Sequence, residues 1–288
     1  MTSGWSVRAL TRNPAGPAAR SLAAAGADVR AADMADPIAL GAALEGPYGV
    51  FSVQPAPGTP GLPPEYGRQE EIRHGRSVAD AALAAGARLL VYTSANSAQL
   101  HSSVSVLESK GAIEAHIRTL GIPATVLRPT SFMENYAHPV WGLRDGTLPS
   151  AIAPEVPQQL IALDDIAALA ALAFANHGRF AGQALELAGD ALTPVENASA
   201  ISRATGHTVP YVRIPMDTLR ELSPEAAEGI QWLNDRRSFA VDIDALRALH
   251  PGLLTFEAWL HQGGTTLLKR LLDQRSGNDP RSSSAPPR

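Results

Sequence analysis

The residue types that do chemistry are used sparingly in this 288-residue chain. Lys110 is one of only two lysines, with Lys269, although Lys and Arg together number 24. A lysine kept against so strong an arginine bias suggests a need for a compact ammonium rather than a planar fork. Arg12 follows the first apolar run, where a guanidinium can clamp a phosphate through two parallel hydrogen bonds. Asp33, Gln54 and Ser94 each follow a later apolar run. Asp164 and Asp165 form a carboxylate pair that would suit acid–base work, but their place ahead of an apolar helix reads better as an N-cap. The eight histidines show no H-x-x-x-H or H-E-x-x-H spacing, so no metal site is expected. Neither a phosphate-binding G-x-x-x-x-G-K-S/T loop nor a G-x-S-x-G nucleophile turn occurs. With no cysteine, disulfides, thiolate nucleophiles, Cys-bound zinc and iron–sulfur clusters are excluded.

These residues hang on alternating short apolar runs and helical patterns. Strands are expected at Ser6–Thr11, Ala27–Ala31, Tyr48–Val53, Arg88–Thr93 and Pro123–Arg128. Helices are expected at Ala15–Ala25, closed by Gly26, then Asp36–Leu44, Glu65–Ala85 and Leu107–Leu120. Asp36 serves as N-cap with Pro37 at the first helical position. The proline-rich stretch Gln54–Pro64 reads as loop. Strands separated by helices imply right-handed crossovers and a parallel sheet. The fold class is therefore α/β, a doubly wound Rossmann-like domain over residues 1–150.

Residues 151–275 read as a smaller α+β region interleaved with the first. It has strands at Gln159–Leu163, Ala184–Ala188 and Val209–Ile214, and helices at Asp164–Asn176, Pro194–Thr205, Glu225–Asp235 and Thr255–Gln274. Residues 276–288 have little to bury and are expected to be disordered.

A doubly wound nucleotide fold normally opens on a strand, a Gly-rich turn and a helix whose N-terminus receives a pyrophosphate. Here Gly4–Arg8 already reads as the second strand, and no G-x-G-x-x-G lies near it. A strand–helix–strand unit takes roughly 30 residues, so on this reading most of one unit would be absent. Two expectations follow: a start placed too late, or a sheet with a gap at its central strand.

Several stretches together resemble the NmrA-like family, an atypical branch of the short-chain dehydrogenase/reductases. They are Val7–Pro14, Gly26–Val29, Ala32–Pro37, Gly49–Phe51, Val91–Ala95 and Ser109–Glu114. Thr125–Asn135 is among the most specific, and Leu192–Pro194 and Leu253–Trp259 resemble the family's later part. The likeness covers roughly residues 5 to 272 and departs at the absent Gly-rich loop.

The resemblance implies roles residue by residue. Arg12 faces the adenosine 2′-phosphate, which implies NADP(H) in preference to NAD(H). Asp33 lies beside the adenine amine and Met34 flanks the ring. Thr130, Phe132 and Asn135 lie beside the nicotinamide and the substrate cleft, while Gln54 is expected to line the cofactor from its place at the carboxyl end of a strand. Typical members of the superfamily use a Ser together with a Tyr four residues before a Lys. Ser94 and Lys110 match as catalytic and cofactor-binding positions, with Lys110 on the nicotinamide ribose, but Val106 stands where the Tyr would be. Tyr136 and His138 lie nearby as proton donors without a spacing argument.

An NADP(H)-dependent oxidoreductase acting on a quinone-like or small carbonyl compound is the expected function, since hydride transfer to a quinone can draw its proton from solvent. Its alternatives are a dinucleotide-sensing regulator read by a protein partner such as a transcription factor, and a chain whose cofactor binding is impaired by the missing phosphate loop. The net charge of −4 argues against a nucleic-acid partner. The longest apolar run, Ile166–Ala175, is half of the roughly 20 residues that span a bilayer, and no secretory leader is visible, so a cytoplasmic protein is expected.

Overall fold

The computed structural model describes residues 4–276 apart from 58, 60, 64, 101–103, 140, 238 and 239. The first elements alternate strictly. They are β1 (Arg8–Thr11), α1 (Pro17–Ala24), β2 (Asp28–Ala31), α2 (Pro37–Ala43), β3 (Gly49–Ser52), α3 (Arg68–Ala84), β4 (Leu89–Thr93), α4 (Ser105–Leu120) and β5 (Ala124–Pro129). The Asp36 carboxylate accepts from the Ile38 and Ala39 amides, as its capping position requires.

A four-stranded parallel sheet runs in the order β3-β4-β5-β9, with β9 at Ala184–Leu187. Side chains alternate across it. Leu90, Tyr92 and Val126 join Val78, Ala79 and Ala82 of α3 and Ile113 and Ile117 of α4 in one core. Leu89, Val91 and Leu127 join Ile166, Leu169 and Ala173 of α5 (Leu163–Ala175) in another. Both faces are thus covered, which explains why the central strand β4 is apolar throughout rather than alternating. Helices α3 and α4 lie close because Gly75 has no side chain: a Cβ there would come within 2.5 Å of Ile113 Cδ1. The fold is a parallel-sheet α/β fold of the Rossmann kind.

The ladder is interrupted at one place. Strands β1 and β2 pair only with each other, from Arg8 opposite Asp28 to Thr11 opposite Ala31. No ladder among the described residues ties them to the four-stranded sheet. Side chains make the connection. Arg8 Nη1 donates to the Ala43 and Glu45 carbonyls at 2.8 and 2.9 Å, at the end of α2. Trp5 packs on Tyr48 and Phe174, at ring separations of 5.1 and 6.3 Å. Leu10, Ala32 and Met34 rest on the α3–α4 core. Val7, Phe51 and Val53 stay about half exposed beside this break.

The later region adds β6 (Ser131–Phe132), β7 (Leu148–Ser150), β8 (Gln158–Ile161), β10 (Asp190–Leu192) and β11 (Tyr211–Arg213). They form two small sheets, β10-β8-β6 and β11-β7. Its helices are α6 (His177–Phe180), α7 (Pro194–Thr205), α8 (Met216–Leu222), α9 (Pro224–Asn234), α10 (Ile243–Leu249), α11 (Phe256–Trp259) and α12 (Thr265–Ser276). Met133, Leu160, Ile201, Phe256, Trp259 and Leu268 form the centre of its core.

Three sequence expectations need correction. The helix expected over Thr255–Gln274 is broken by a π turn at Leu260–Gly264, where a Cβ on Gly264 would meet the Trp259 ring at 2.7 Å. Asp164 and Asp165 are not N-caps: Ala162 holds that position, and both acids lie in the first turn of α5. Asp165 instead pairs with His250 Nε2 at 3.1 Å and accepts the Leu254 amide at 3.1 Å, fastening a later loop to α5. Helix α3 starts at Arg68 rather than Glu65, because Glu70 accepts the Gly67 amide and fixes the first turn there. The tail expected to be disordered lies outside the described residues except for Ser276. No described helix is long and apolar enough to cross a membrane.

Candidate functional site

Parallel strands deliver their carboxyl ends to one side, and the expected residues follow from that. Arg12 is one residue beyond β1, Asp33 two beyond β2, Gln54 two beyond β3, Ser94 one beyond β4 and Thr130 one beyond β5. Ligands of open α/β sheets bind at such ends.

Lys110 reaches this row from the second turn of α4 and is 5% exposed. Its Nζ lies 2.8 Å from Glu71 Oε1 of α3 and donates to the Gln54 carbonyl at 2.8 Å. Ser109 Oγ donates to Glu71 Oε2 at 2.5 Å. A buried pair of this kind costs desolvation, but removing one partner strands the other charge, typically at about 3–5 kcal/mol. The Tyr92 ring lies 6.0 Å from Nζ. Its hydroxyl is buried without a partner, and burial, then the Glu71 charge, push it well above the usual phenol range. Glu71 went unnoticed in sequence because an acid in the first turn of a helix ordinarily answers to the helix dipole.

Ser94 enters a second buried network. Its Oγ donates to Glu114 Oε1 at 2.6 Å, and Arg128 holds the same carboxylate through Nε at 3.0 Å and Nη2 at 2.6 Å. Arg128 Nη1 also donates to Glu186 at 3.0 Å, and Asn96 and Gln99 complete the Glu186 shell. Burial raises the Glu186 carboxyl above its usual value, and Arg128 works against that shift. Ser94 is therefore bound to the scaffold in this arrangement.

The other end of the row is looser. Arg12 is exposed and makes no hydrogen bond to the described residues. Asp33 Oδ1 accepts the Ala35 amide at 2.9 Å, a tight turn that holds Met34 against the core. Gln54 Nε2 donates to Ser52 Oγ at 3.0 Å and lies 3.7 Å from Met34 Sδ, while its Oε1 is buried without a partner. The His74 ring of α3 lies tilted beside Tyr66 at 5.6 Å, and both its nitrogens are buried without a partner among the described residues. Burial, then Arg73 and Arg12, lower the His74 pKa against the opposing pull of Asp33 and Glu70. Tyr66 donates to the Pro55 carbonyl at 3.0 Å; burial, then Glu71 and Glu70, push its pKa up to about 12. Neither His74 nor Tyr66 is marked by any sequence motif.

The remaining expected residues are structural in their contacts. Thr130 Oγ1 donates to the Leu187 carbonyl at 3.0 Å, and Phe132 packs against the α5 core. Tyr136 is buried in the later core against Phe256 at 5.0 Å, and burial raises its pKa. His138 stacks on Trp141 at 4.3 Å. The unpartnered Gln54 Oε1, the unpartnered His74 nitrogens and the free Arg12 head are groups that a nucleotide would satisfy, so this end of the row fits an adenosine phosphate.

Strand order and site row define a Rossmann-like protein with its ligand groups at the strand ends. The chain belongs to the NmrA-like family, whose model matches residues 1–260. It is 35% identical over 220 residues to quinone oxidoreductase 2 of Escherichia coli, a match covering 70% of this chain and 66% of that protein's length. A crystal structure of an NADPH-dependent quinone oxidoreductase from Escherichia coli, complexed with NADPH, superposes with a TM-score of 0.70 at 27% identity and covers 88% of each chain. The structure of NmrA, a negative transcriptional regulator, superposes with a TM-score of 0.73 at 20% identity, covering 96% of this chain and 91% of that one.

Proposed function

We propose that the chain is an NADP(H)-dependent oxidoreductase that reduces a quinone-like or other small carbonyl compound. The observation that carries the proposal is the row of polar groups at the strand ends, open and cationic at Arg12 and buried at Lys110. The relative that reduces quinones and the related structure holding NADPH support it.

Arg12 takes the 2′-phosphate as a two-pronged clamp and sets preference for NADP(H) over NAD(H). Asp33 and Met34 receive the adenine, and Gln54 lines the passage between the two ends. Residues 1–150 thus hold the dinucleotide, and residues 151–275 shape the acceptor side. The dinucleotide supplies a hydride to the acceptor. Lys110 is charge-balanced by Glu71 and shapes the floor of the site by holding the Gln54 carbonyl. Ser94 orients the end of β4 through Glu114. With Val106 at the expected proton-donor position, water protonates the reduced acceptor.

NADPH oxidation with a panel of quinones tests the proposal. Quinone-dependent turnover supports it. Tight NADPH binding without turnover favours the second reading, a dinucleotide-sensing regulator with a protein partner. One observation speaks for that reading: Ser94 and Lys110, the residues expected to be catalytic, are both bound into buried ion networks.

A further inference from the structure

We infer that His74 of α3 is a proton-linked part of the phosphate site: it takes up a proton when a 2′-phosphate settles at Arg12, and so strengthens the preference for NADP(H) over NAD(H) as pH falls. The inference rests on the reading that Arg12 receives the 2′-phosphate, and it names a second residue that sets the strength of that contact.

Three elements bring charge to His74. Arg12 stands one residue beyond β1, Asp33 two beyond β2, and Glu70 and Arg73 lie on α3 itself. Tyr66 closes the cluster from the loop before α3, its ring 5.6 Å from the His74 ring and its hydroxyl donating to the Pro55 carbonyl at 3.0 Å. The two carboxylates are tied to the backbone: Asp33 Oδ1 accepts the Ala35 amide at 2.9 Å, and Glu70 Oε2 accepts the Gly67 amide at 3.1 Å. Two cations, Arg12 and Arg73, therefore act on the ring together with two anions, Asp33 and Glu70. Tyr66 stays neutral, because its pKa is pushed up to about 12. Around an uncharged His74 the cluster is electrically balanced.

The ring is held neutral in the free chain. Both its nitrogens are buried without a partner among the described residues, and a ring in that position resists protonation. Burial is the larger cause, and Arg73 and Arg12 add to it against Asp33 and Glu70. A phosphate monoester brings about 1.5 to 2 negative charges at neutral pH. Set at Arg12, it turns the balanced cluster anionic and offsets the repulsion between Arg12 and an imidazolium at His74. An added anion favours the charged form of the ring, so a proton moves from solvent to His74 as the phosphate binds. The ring and the phosphate do not have to touch: the charge acts through space, over the range at which Arg12 already acts on His74. Linkage makes the effect reciprocal. If the phosphate favours protonation of His74, protonation favours the phosphate by the same factor. NADH carries no 2′-phosphate and leaves the cluster balanced, so it gains nothing of this kind from a lower pH.

The test titrates the full chain with NADPH and with NADH by calorimetry, from about pH 8 to about pH 5.5, a range that brackets ordinary histidine titration. Repeating each titration in two buffers of different ionisation enthalpy counts the protons bound. His74→Phe keeps a ring and His74→Gln keeps a polar group, and neither variant titrates. The 2′-phosphate itself titrates near pH 6 and releases a proton when Arg12 selects its dianion, so the readout is the difference between wild type and variants. Across this range the NADPH-to-NADH affinity ratio of the wild type should rise roughly three- to tenfold relative to both variants, tenfold being one unit of pKa. The wild type should also take up more protons with NADPH than either variant, and no more than they do with NADH. Coincident pH profiles and equal proton uptake in wild type and variants overturn the inference, and a preference for NADPH that persists in them leaves the Arg12 reading standing. Equal affinities for the two dinucleotides at every pH, or no binding of either, overturn both.

Discussion

Strand β4 is buried at every position from Leu89 to Thr93, with helices on both faces, whereas no residue of β1 or β2 reaches full burial. Both sheets nonetheless end in the same row. The four-stranded sheet ends in Gln54, Ser94 and Thr130, all hydrogen-bonded to the scaffold. The two-stranded sheet ends in Arg12 and Asp33, of which Arg12 is exposed and makes no hydrogen bond to the described residues. The difference separates two tasks. In the proposed reading, the packed sheet with its neutralised buried charges holds the reacting end of the ligand to within the tolerance that chemistry needs. In the same reading, the lightly tied pair of strands supplies charge and selectivity at the far end, where small shifts matter less.

The largest expected effect lies in the packed half. Glu71→Ala leaves the Lys110 ammonium buried and unpaired and should cost about 3–5 kcal/mol in urea unfolding. A loss below about 1 kcal/mol, the range of exposed pairs, would show that water reaches Lys110 freely. Arg8→Ala is the counterpart in the two-stranded sheet. It removes two charge-assisted bonds to the end of α2 made by a side chain about one-third exposed, and should cost about 1 kcal/mol. Native-state hydrogen exchange sharpens the comparison. Amides of β1 and β2 should open at clearly lower free energy than those of β4 and β5, whose opening should approach global unfolding. Equal protection in both sheets would mean that they unfold as one unit.

The smallest effect is in pH dependence. The His74 pKa is lowered below 6.5 by burial and then by Arg73, so the folded state resists its protonation. Its contribution to stability is present above pH 6.5 and lost as pH falls through the lowered value. His74→Phe should therefore flatten the decline of Tm on acidification between pH 6.5 and the lowered value. An unaltered slope would assign the decline to other groups.

The packed half was legible in sequence because a strand covered on both faces must be apolar throughout. Arg88–Thr93 is read within one residue of β4, and Pro123–Arg128 within one residue of β5. The small sheets of the later region were partly missed: β6, β7 and β10 are two or three residues long, below the length at which a period can be seen. Among the site residues, the scarcity of lysine singled out Lys110, but the reason for it emerges only from the fold. Glu71 and Gln54 come to Lys110 from α3 and from the end of β3, and no local pattern encodes those meetings. His74 escaped notice for the same reason, since an unpartnered polar atom is a property of packing.

The affinity of the chain for NADPH and for NADH, by direct titration of the wild type and of Arg12→Ala, tests the central proposal most directly. The wild type should bind NADPH more tightly by at least the order of tenfold that a charge-assisted phosphate contact provides, and Arg12→Ala should erase that preference while leaving NADH affinity unchanged. Equal affinities of the wild type for the two dinucleotides, or an undiminished preference in Arg12→Ala, would contradict it.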